Sequence, residues 1–364
     1  MTKRAKLKRD KKSFLGTPVE PFEVAGDLSV DELLRRMEAI SFQGRNLATA
    51  TRVWERMLKD EVFIFLGVAG ALSAGGLRLT VAHLVEIRAV DCLVSTGANL
   101  YHDLHETRGR RHFLGRVDVD DKQLQEAHID RVYDTFMDED EFIENDEWIA
   151  DFARSLEPRP CTSREFLYRL GGRLWDETKK DGILTAAYRS NVPIFCPAIA
   201  DSSIGMGLSQ ARHTDATSGQ IDVIGDIIES SNLVIRLPRT ASIVFGGGTP
   251  KNFINQASVQ AEYFCDGVGG HEYAIQVSTD TPHYGGASGS SLNEAKSWGK
   301  LSEDATHVTV HADATIALPL LATGLESRAA HSLITRTRPV FELSKQELSV
   351  NGRPLPVERF IDEA

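Results

Sequence analysis

Short apolar runs alternate with amphipathic segments along most of this chain. A continuous apolar run at 62–68 has the length of a strand, and a glycine-rich turn follows it at 70–76. Apolar residues then recur at helical spacing over 79–87, and another strand is predicted at 91–97. These segments predict a β-α-β unit whose first strand is parallel and buried.

The same alternation recurs in the second half of the chain. Strands alternating with helices predict an α/β fold with a doubly wound, mostly parallel sheet flanked by helices. Ligands of such sheets bind beyond the carboxyl ends of the strands, so the turns there mark the expected site. The other elements predicted from periodicity are helices at 30–37, 46–54 and 221–228, and strands at 192–198, 242–248, 273–279 and 307–311.

Charge and composition narrow the possible functions. The formal net charge of −11 argues against broad nucleic-acid binding and permits a cationic substrate. No apolar stretch is long enough for a membrane span and no signal peptide is recognisable, so we expect a cytoplasmic protein. The four dispersed cysteines predict neither a metal site nor a disulfide scaffold.

We expect two parts of unequal length. Residues 1–24 are predicted to form a basic, disordered tail, and residues 25–364 a single α/β domain. Within that domain the strongly acidic segment 117–147 is predicted to be exposed helix or loop.

Glycines between the first strand and its helix suggest a dinucleotide site. A turn in that position can bind phosphate at a helix N-terminus. The spacing over 67–76 does not match G-x-G-x-x-G, and glycines needed for helix–sheet packing explain it equally well. Turns at 95–98, 246–248 and 312–314 follow other strands and favour the cofactor interpretation.

Lys300 is the candidate nucleophile. It follows Trp298 and Gly299, and an apolar wall is one way to lower the pKa of a lysine until its amine can react. A surface lysine that ends a helix after Glu294 is the structural alternative.

Six motifs, in this order, resemble the deoxyhypusine synthase family over nearly the whole chain past the tail. The resemblance implies a Rossmann-type NAD site, a homotetramer with active sites at dimer interfaces, and aminobutyl transfer that leaves NAD unconsumed. In that mechanism Lys300 carries the aminobutyl group as an imine after spermidine is oxidised. The motifs are Phe65-Leu66-Gly67, Ser95-Thr96-Gly97-Ala98, Cys196-Pro197-Ala198, Phe245-Gly246-Gly247-Gly248, Glu294-Ala295-Lys296-Ser297-Trp298-Gly299-Lys300 and His311-Ala312-Asp313-Ala314.

The resemblance also assigns binding residues by position. Trp298 and Glu294 correspond to the polyamine pocket. The residues expected to contact NAD are Gly70, Ser73, Thr96, Gly97, Ala98, Asp201, Gly246, Gly247, Thr279, Asp313 and Ala314.

This chain departs from the family at several pocket positions. Asn252 stands where the eukaryotic enzymes have a histidine, and Tyr101-His102 replaces their acidic pair. Two further spermidine-binding aspartates align with Met206 and Ala287. The residues that could substitute are His102, Asp103, Asp280 and His283, and Asn252 is expected to contact the substrate.

Histidine roles stay open at this point. His102 is either a proton-transfer residue or a histidine satisfied by its neighbours. His283 is either a substrate contact or a structural residue.

Three functions are compatible with the altered pocket. The leading hypothesis is NAD-dependent aminobutyl transfer from a polyamine to a small amine such as putrescine, giving homospermidine. The alternatives are deoxyhypusine synthesis on a lysine of a translation factor, and a non-catalytic NAD- or polyamine-binding protein.

Overall fold

The computed structural model describes residues 14–237 and 239–355. Within these residues it has one six-stranded parallel sheet and two small antiparallel sheets. The strands are β1 (Phe63–Val68), β2 (Cys92–Ser95), β3 (Phe113–Leu114), β4 (Ile129–Val132), β5 (Thr135–Asp138), β6 (Ile194–Phe195), β7 (Thr240–Phe245), β8 (His271–Val277), β9 (Leu301–Val310), β10 (Phe341–Glu342), β11 (Ser349–Val350) and β12 (Arg353–Pro354).

Helices cover both faces of the large sheet. A π-helical turn lies at Ser73–Leu77 and a 3-10 turn at Pro282–Tyr284. The α-helices are α1 (Val30–Met37), α2 (Phe42–Lys59), α3 (Arg78–Glu86), α4 (Gly97–Thr107), α5 (Asp121–Glu126), α6 (Glu139–Arg154), α7 (Ser163–Thr178), α8 (Ile183–Ser190), α9 (Ser203–Thr214), α10 (Val223–Arg236), α11 (Gly248–Phe264), α12 (Leu292–Lys296), α13 (Ala314–Arg328) and α14 (Ala330–Thr335).

The order of strands in the large sheet defines the fold class. The order is β6-β2-β1-β7-β8-β9, with every neighbouring pair parallel. Counted along the chain, these six strands run 3-2-1-4-5-6, which is the order of the Rossmann fold. The order reverses between β1 and β7, so a crevice is expected beyond their carboxyl ends. The predicted α/β, doubly wound, mostly parallel sheet is confirmed.

The strands read as apolar runs because the sheet is buried on both faces. In β1, Ile64 and Leu66 belong to one apolar cluster together with side chains of α2 and α3. Phe63 and Phe65, which point the other way, belong to a second cluster together with side chains of α11. The helices that follow β1 and β7 therefore leave the sheet on opposite faces.

Most predicted elements occur where periodicity placed them. Helix α1 has the predicted bounds, because Ser29 and Glu32 form a capping box at its start. The strand predicted at 192–198 is shorter than expected, and only Ile194–Phe195 pair with β2. Pro193 and Pro197 flank that pair, and proline cannot donate a ladder hydrogen bond.

The prediction for 117–147 was wrong in part. Helices α5 and α6 are present there, but β4 and β5 form an antiparallel hairpin between them. Met137 on β5 is almost completely buried. The acidic composition obscured a short apolar and β-branched pattern that favours strand pairing.

The two ends of the chain are described only in part. Residues 1–13 of the predicted tail lie outside the described residues, and residues 14–29 contain neither helix nor strand. The single domain from residue 25 stays a prediction. Among the described residues, no helix combines the length and the apolar character needed to cross a membrane.

Packing at the centre of the sheet generates the first prediction. Ile243 on β7 is fully buried, so Ile243→Ala removes its contacts and leaves a cavity. We expect the free energy of unfolding to fall by about 2–5 kcal/mol, measured by chemical denaturation. The control Ile334→Ala truncates a side chain that is 83% exposed, and we expect a change within about 0.5 kcal/mol. Equal effects of the two substitutions would contradict this description of the core.

Candidate functional site

The turns that carry the expected cofactor residues share one edge of the large sheet. Because all six strands are parallel, the segments that follow them begin at the same edge. The residues after the strand ends are Gly70 and Ser73 after β1, Thr96, Gly97 and Ala98 after β2, Asp201 after β6, Gly246 and Gly247 after β7, Thr279 after β8, and Asp313 and Ala314 after β9.

Hydrogen bonds hold the central turns against one another. The Ala69 amide donates to the Phe245 carbonyl at 3.0 Å, and the Gly246 amide donates to the Val277 carbonyl at 2.8 Å. Thr96 Oγ1 donates to the Gly70 carbonyl at 2.7 Å. The turns after β1, β2, β7 and β8 therefore form one connected rim around the point where the strand order reverses.

The glycines of this rim serve two different purposes. A Cβ on Gly97 would lie 2.2 Å from Ser202 Oγ, and one on Gly247 would lie 2.4 Å from Ser288 Cα. These two glycines are required by packing within the protein itself. Gly70 has φ +75°, and a Cβ placed on it would meet nothing within 4 Å, so its turn is open to a ligand. The packing and the cofactor interpretations thus apply to different glycines.

Polar groups at the rim fit a dinucleotide. The Ser73 amide donates to Asn99 Oδ1 at 3.0 Å, but the buried Ser73 hydroxyl oxygen has no hydrogen-bond partner among the described residues. Asp313 caps α13 by accepting from the Thr315 amide at 2.7 Å. Hydrogen bonds from Thr315 lower the pKa of the Asp313 carboxyl, which therefore stays ionised and exposed at the rim. An ionised carboxylate there suits a ribose hydroxyl pair.

The backbone of Lys300 is anchored on two sides. Lys300 follows Gly299, which turns the chain with φ +69° from α12 into β9. The Lys300 carbonyl accepts from the His271 amide at 3.1 Å and from Ser258 Oγ at 3.3 Å. Its Cα is therefore fixed to β8 and α11, and only the side chain is free to reorient.

The half-buried Lys300 side chain lines a cavity. Its Nζ lies 5.3 Å from the centre of the Trp298 ring and 3.4 Å from Asn252 Oδ1. Burial lowers the pKa of this amine, and the nearby Glu294 carboxylate opposes that shift. The lining residues are Lys251, Asn252, Asn255, Gly285, Gly286, Ala287, Ser290, Glu294, Ala295, Trp298 and Lys300.

Lys251 is a second amine in the same cavity, and sequence reasoning missed it. It is only 2% exposed, and its Nζ donates to the Ser290 carbonyl at 2.6 Å and to Ser290 Oγ at 2.9 Å. Burial, and then repulsion by Lys300, lower the pKa of Lys251 to about 8. Its position in the first turn of α11, directly after the glycine turn, was the available signal.

His102 lies in a different cluster. Its Nδ1 is 2.8 Å from His112 Nε2, and His112 Nδ1 is 2.7 Å from Glu106 Oε1. Burial and the neighbouring His112 and His105 lower the pKa of His102 to about 3, so it is neutral near pH 7. The cavity around Lys300 is not lined by His102, and a proton-transfer role for it stays a prediction.

Only some of the other candidate pocket residues line the Lys300 cavity. Ala287 lines the Lys300 cavity, whereas Met206 is exposed on α9. His283 is exposed in the 3-10 turn that precedes the cavity residues Gly285 and Gly286. Asp280 is close enough to Lys251 to raise the pKa of that amine against the effect of burial. Asn252, Glu294 and Trp298 thus line the same cavity as Lys300. Asp103 does not line this cavity and is fully buried beside Arg78.

Comparisons with known proteins point to one family. The family profile described as deoxyhypusine synthase matches residues 32–325. A relative named "Probable deoxyhypusine synthase 2", from Methanosarcina acetivorans, is 45% identical over 90% of this chain and 94% of its own length. A "Deoxyhypusine synthase-like protein" from Coxiella burnetii is 42% identical over 80% of this chain and 84% of its own length.

A solved structure supports the fold. The crystal structure of a putative deoxyhypusine synthase from Entamoeba histolytica is similar with a TM-score of 0.56. It is 18% identical and covers 88% of this chain and 98% of that one. At this identity the similarity concerns the fold alone.

The balance of charge at Lys300 generates the second prediction. Because the Glu294 carboxylate favours the protonated amine, Glu294→Gln lowers the pKa of Lys300 further. The neutral, reactive amine then appears at lower pH. We expect the midpoint of the pH profile for reductive methylation of Lys300, followed by peptide mass spectrometry, to move to lower pH. Glu303→Gln, which removes an exposed carboxylate on β9, is the control. An unchanged midpoint in Glu294→Gln would refute the effect of Glu294 on the Lys300 amine.

Proposed function

The chain belongs to the deoxyhypusine synthase family, whose members are transferases that move an aminobutyl group, and we propose that this one transfers it from spermidine or a related polyamine to a small amine such as putrescine. The observation that carries the proposal is the shared cavity of Lys300, Trp298, Glu294 and Asn252. An amine with a lowered pKa, held on a fixed backbone beside an aromatic ring, is suited to imine formation.

Lys300 is proposed to carry the four-carbon fragment. Its neutral Nζ adds to the C=N carbon of the oxidised donor, and the bond from that carbon to the diaminopropane nitrogen then breaks. Both hydrogens of Nζ pass to the departing nitrogen, so that 1,3-diaminopropane leaves and a C=N bond to Lys300 remains. The acceptor amine then attacks the same carbon and displaces Lys300. With putrescine as the acceptor, the net reaction is spermidine plus putrescine giving homospermidine plus 1,3-diaminopropane.

A second lysine shares the cavity with Lys300. Two ammonium groups in one partly buried cavity repel each other, and Lys251 is held by Ser290 so that it cannot move away. Burial and repulsion by Lys300 lower the pKa of Lys251 to about 8, and burial lowers the pKa of Lys300. Lys300 is the more weakly held of the two, since its Nζ donates at 3.4 Å to the side-chain oxygen of Asn252.

NAD is the proposed cofactor, and it would supply hydride removal from the donor and hydride return to the product. The residues that would hold it are those of the rim: the open turn at Gly70, the unpartnered hydroxyl of Ser73 and the carboxylate of Asp313. Gly246 has φ +86° and keeps the turn after β7 close to Ala69, since a Cβ on Gly246 would lie 3.0 Å from the Cβ of Ala69.

A small acceptor is favoured by the altered pocket. Ala287 lines the cavity where the family has a spermidine-binding aspartate, and Glu294 is the carboxylate among the lining residues. The name of the 45% identical relative favours a second candidate, transfer to a protein lysine. The proposal also includes a homotetramer with active sites at dimer interfaces, which the exposed apolar side chains Val223, Ile224 and Ile228 on α10 would suit.

The third prediction tests the nucleophile and the acceptor together. We expect purified protein with spermidine, NAD and putrescine to release diaminopropane and form homospermidine, measured by mass spectrometry. Lys300→Ala should lower turnover on the order of a thousandfold or more, because the amine that forms the imine is removed. The control Lys296→Ala removes a lysine whose Nζ donates to the Glu303 carbonyl, and it should stay active.

The products distinguish the candidate acceptors. Diaminopropane release without homospermidine would point to a protein lysine or another amine. Full activity of Lys300→Ala would overturn the covalent mechanism.

The fourth prediction concerns the cofactor rim. Asp313→Ala removes both the cap of α13 and the proposed ribose contact, so we expect NAD to bind about 10-fold to 100-fold more weakly by calorimetry. The matched control Asp222→Ala removes the cap of α10, where Asp222 Oδ1 accepts from the Gly225 amide at 2.8 Å. Both variants should lose about 1 kcal/mol of stability, and only the first should lose NAD affinity. Equal NAD affinities would remove Asp313 from the site.

A further inference from the structure

A second cavity lies at the opposite, amino-terminal edge of the large sheet. Phe63 begins β1 and Arg239 directly precedes β7, and the Phe63 amide donates to the Arg239 carbonyl at 2.8 Å. The segment after α14 crosses this edge, where Arg336 Nη2 donates to the Val62 carbonyl at 3.2 Å. The residues lining the cavity are Glu61, Phe63, Arg236, Leu237, Arg239, Arg336, Thr337, Arg338, Pro339 and Asn351.

Positive charge is in excess here, although the chain as a whole carries a net charge of −11. Four of the lining residues are arginines, and Glu61 is the carboxylate among them. The Glu61 carboxylate already accepts from the Thr337 amide at 2.8 Å. Arg239 is paired with Glu272 at 2.8 Å, on the exposed side of the cavity.

The inner arginines share one carboxylate. Asp91, fully buried, lies 2.6 Å from Arg336 Nη2 and 3.5 Å from Arg88 Nη2. Arg338 donates to the carbonyl oxygens of Ile87 and Leu333 rather than to a carboxylate. Burial, followed by repulsion from Arg88 and Arg336, lowers the pKa of Arg338. Three guanidinium groups therefore face one buried negative charge.

Two donors at the cavity have no acceptor among the described residues. Arg336 is 6% exposed, and its Nε lacks a hydrogen-bond partner. The buried Nε of Arg236 lacks one as well. Leaving a buried charged donor without an acceptor is unfavourable. A ligand with acceptor oxygens would therefore satisfy the hydrogen-bonding capacity of both Nε atoms.

We propose that this cavity binds a phosphate-bearing anion. A guanidinium presents its donors as a planar fork that matches two phosphate oxygens. Arg236 and Arg338 line the cavity with such groups, and Arg336 adds its unpartnered Nε. Arg336 and Arg338 follow residue 325, where the match to the family profile ends. The site lies at the edge of the sheet away from Lys300, and it is separate from the proposed aminobutyl transfer.

The test measures binding of phosphate compounds to the full chain. Thermal denaturation is followed with inorganic phosphate, pyrophosphate or ATP, in buffers brought to equal ionic strength with sodium chloride. NAD is left out because it carries phosphate groups itself, and the Arg236→Gln variant distinguishes this cavity from the cofactor rim. We expect a saturable rise in Tm that sodium chloride does not reproduce. A response to all three probes would assign recognition to the phosphate itself, and a response to ATP alone would assign it to a nucleotide.

Arg236→Gln is the decisive variant, because Arg236 has no described partner whose loss would unfold the protein. We expect it to weaken phosphate binding at least about tenfold, since one charge-assisted contact is removed. The matched control Arg173→Gln removes an exposed arginine that pairs with Glu177 on α7, and it should bind as the unaltered protein does.

Three results would overturn the proposal. They are the absence of a response to every probe, an equal response to sodium chloride, and unchanged affinity in Arg236→Gln. Arg336→Gln is less informative because Arg336 also holds Asp91 in the core. Diaminopropane release by Arg236→Gln should equal that of the unaltered chain, so failure of the anion site and failure of the aminobutyl transfer are separate outcomes.

Discussion

The parallel pairing of β1 with β7 is the constraint on which the rest of the site depends. Six residues of each strand are in register, from Phe63 opposite Thr240 to Val68 opposite Phe245. Since both strands end at the same level, the turns at Gly70 and Gly246 must meet. The chain then leaves β1 toward one face and β7 toward the other, which is the arrangement in which a crevice is expected beyond the strand ends. No separate binding domain is required to make the rim.

Helix α11 links this constraint to Lys300, the proposed nucleophile. The helix begins at Gly248, immediately after the rim, and places Lys251 and Asn252 in its first turn. Two turns later, Ser258 donates to the Lys300 carbonyl. One rigid element thus sets the distance between the cofactor rim and the amine. A group-transfer reaction in which one carbon is first oxidised and then attacked requires such a fixed distance.

Local patterns in the sequence predict the strands and the turns that follow them, but not the contacts between segments that are distant along the chain. Buried strands read as apolar runs, and glycines follow the strands because the chain must turn there, so the fold and its turns could be predicted without coordinates. The individual NAD residues were assigned by the family resemblance and stay a prediction. The approach of Asn252 to Lys300 depends on a segment 48 positions away along the chain. The burial of Lys251 could not be predicted, because its Nζ is held by Ser288 and Ser290, which are distant along the chain. The cavity of arginines depends on the segment after α14, whose position no periodicity indicates.

The carboxylates near Lys300 have two opposing effects on the proposed chemistry. A carboxylate in the cavity binds the ammonium groups of a polyamine, but it also stabilises the protonated form of the lysine, as Glu294 does. Replacing an aspartate by Ala287 weakens the attraction for the donor and at the same time favours a neutral amine. The charge of Lys300 in turn lowers the pKa of the buried Lys251 amine. The departures of this chain from the family pattern therefore need not reduce reactivity. They weaken the binding of a cationic donor, but they favour the unprotonated form of Lys300 that attacks carbon.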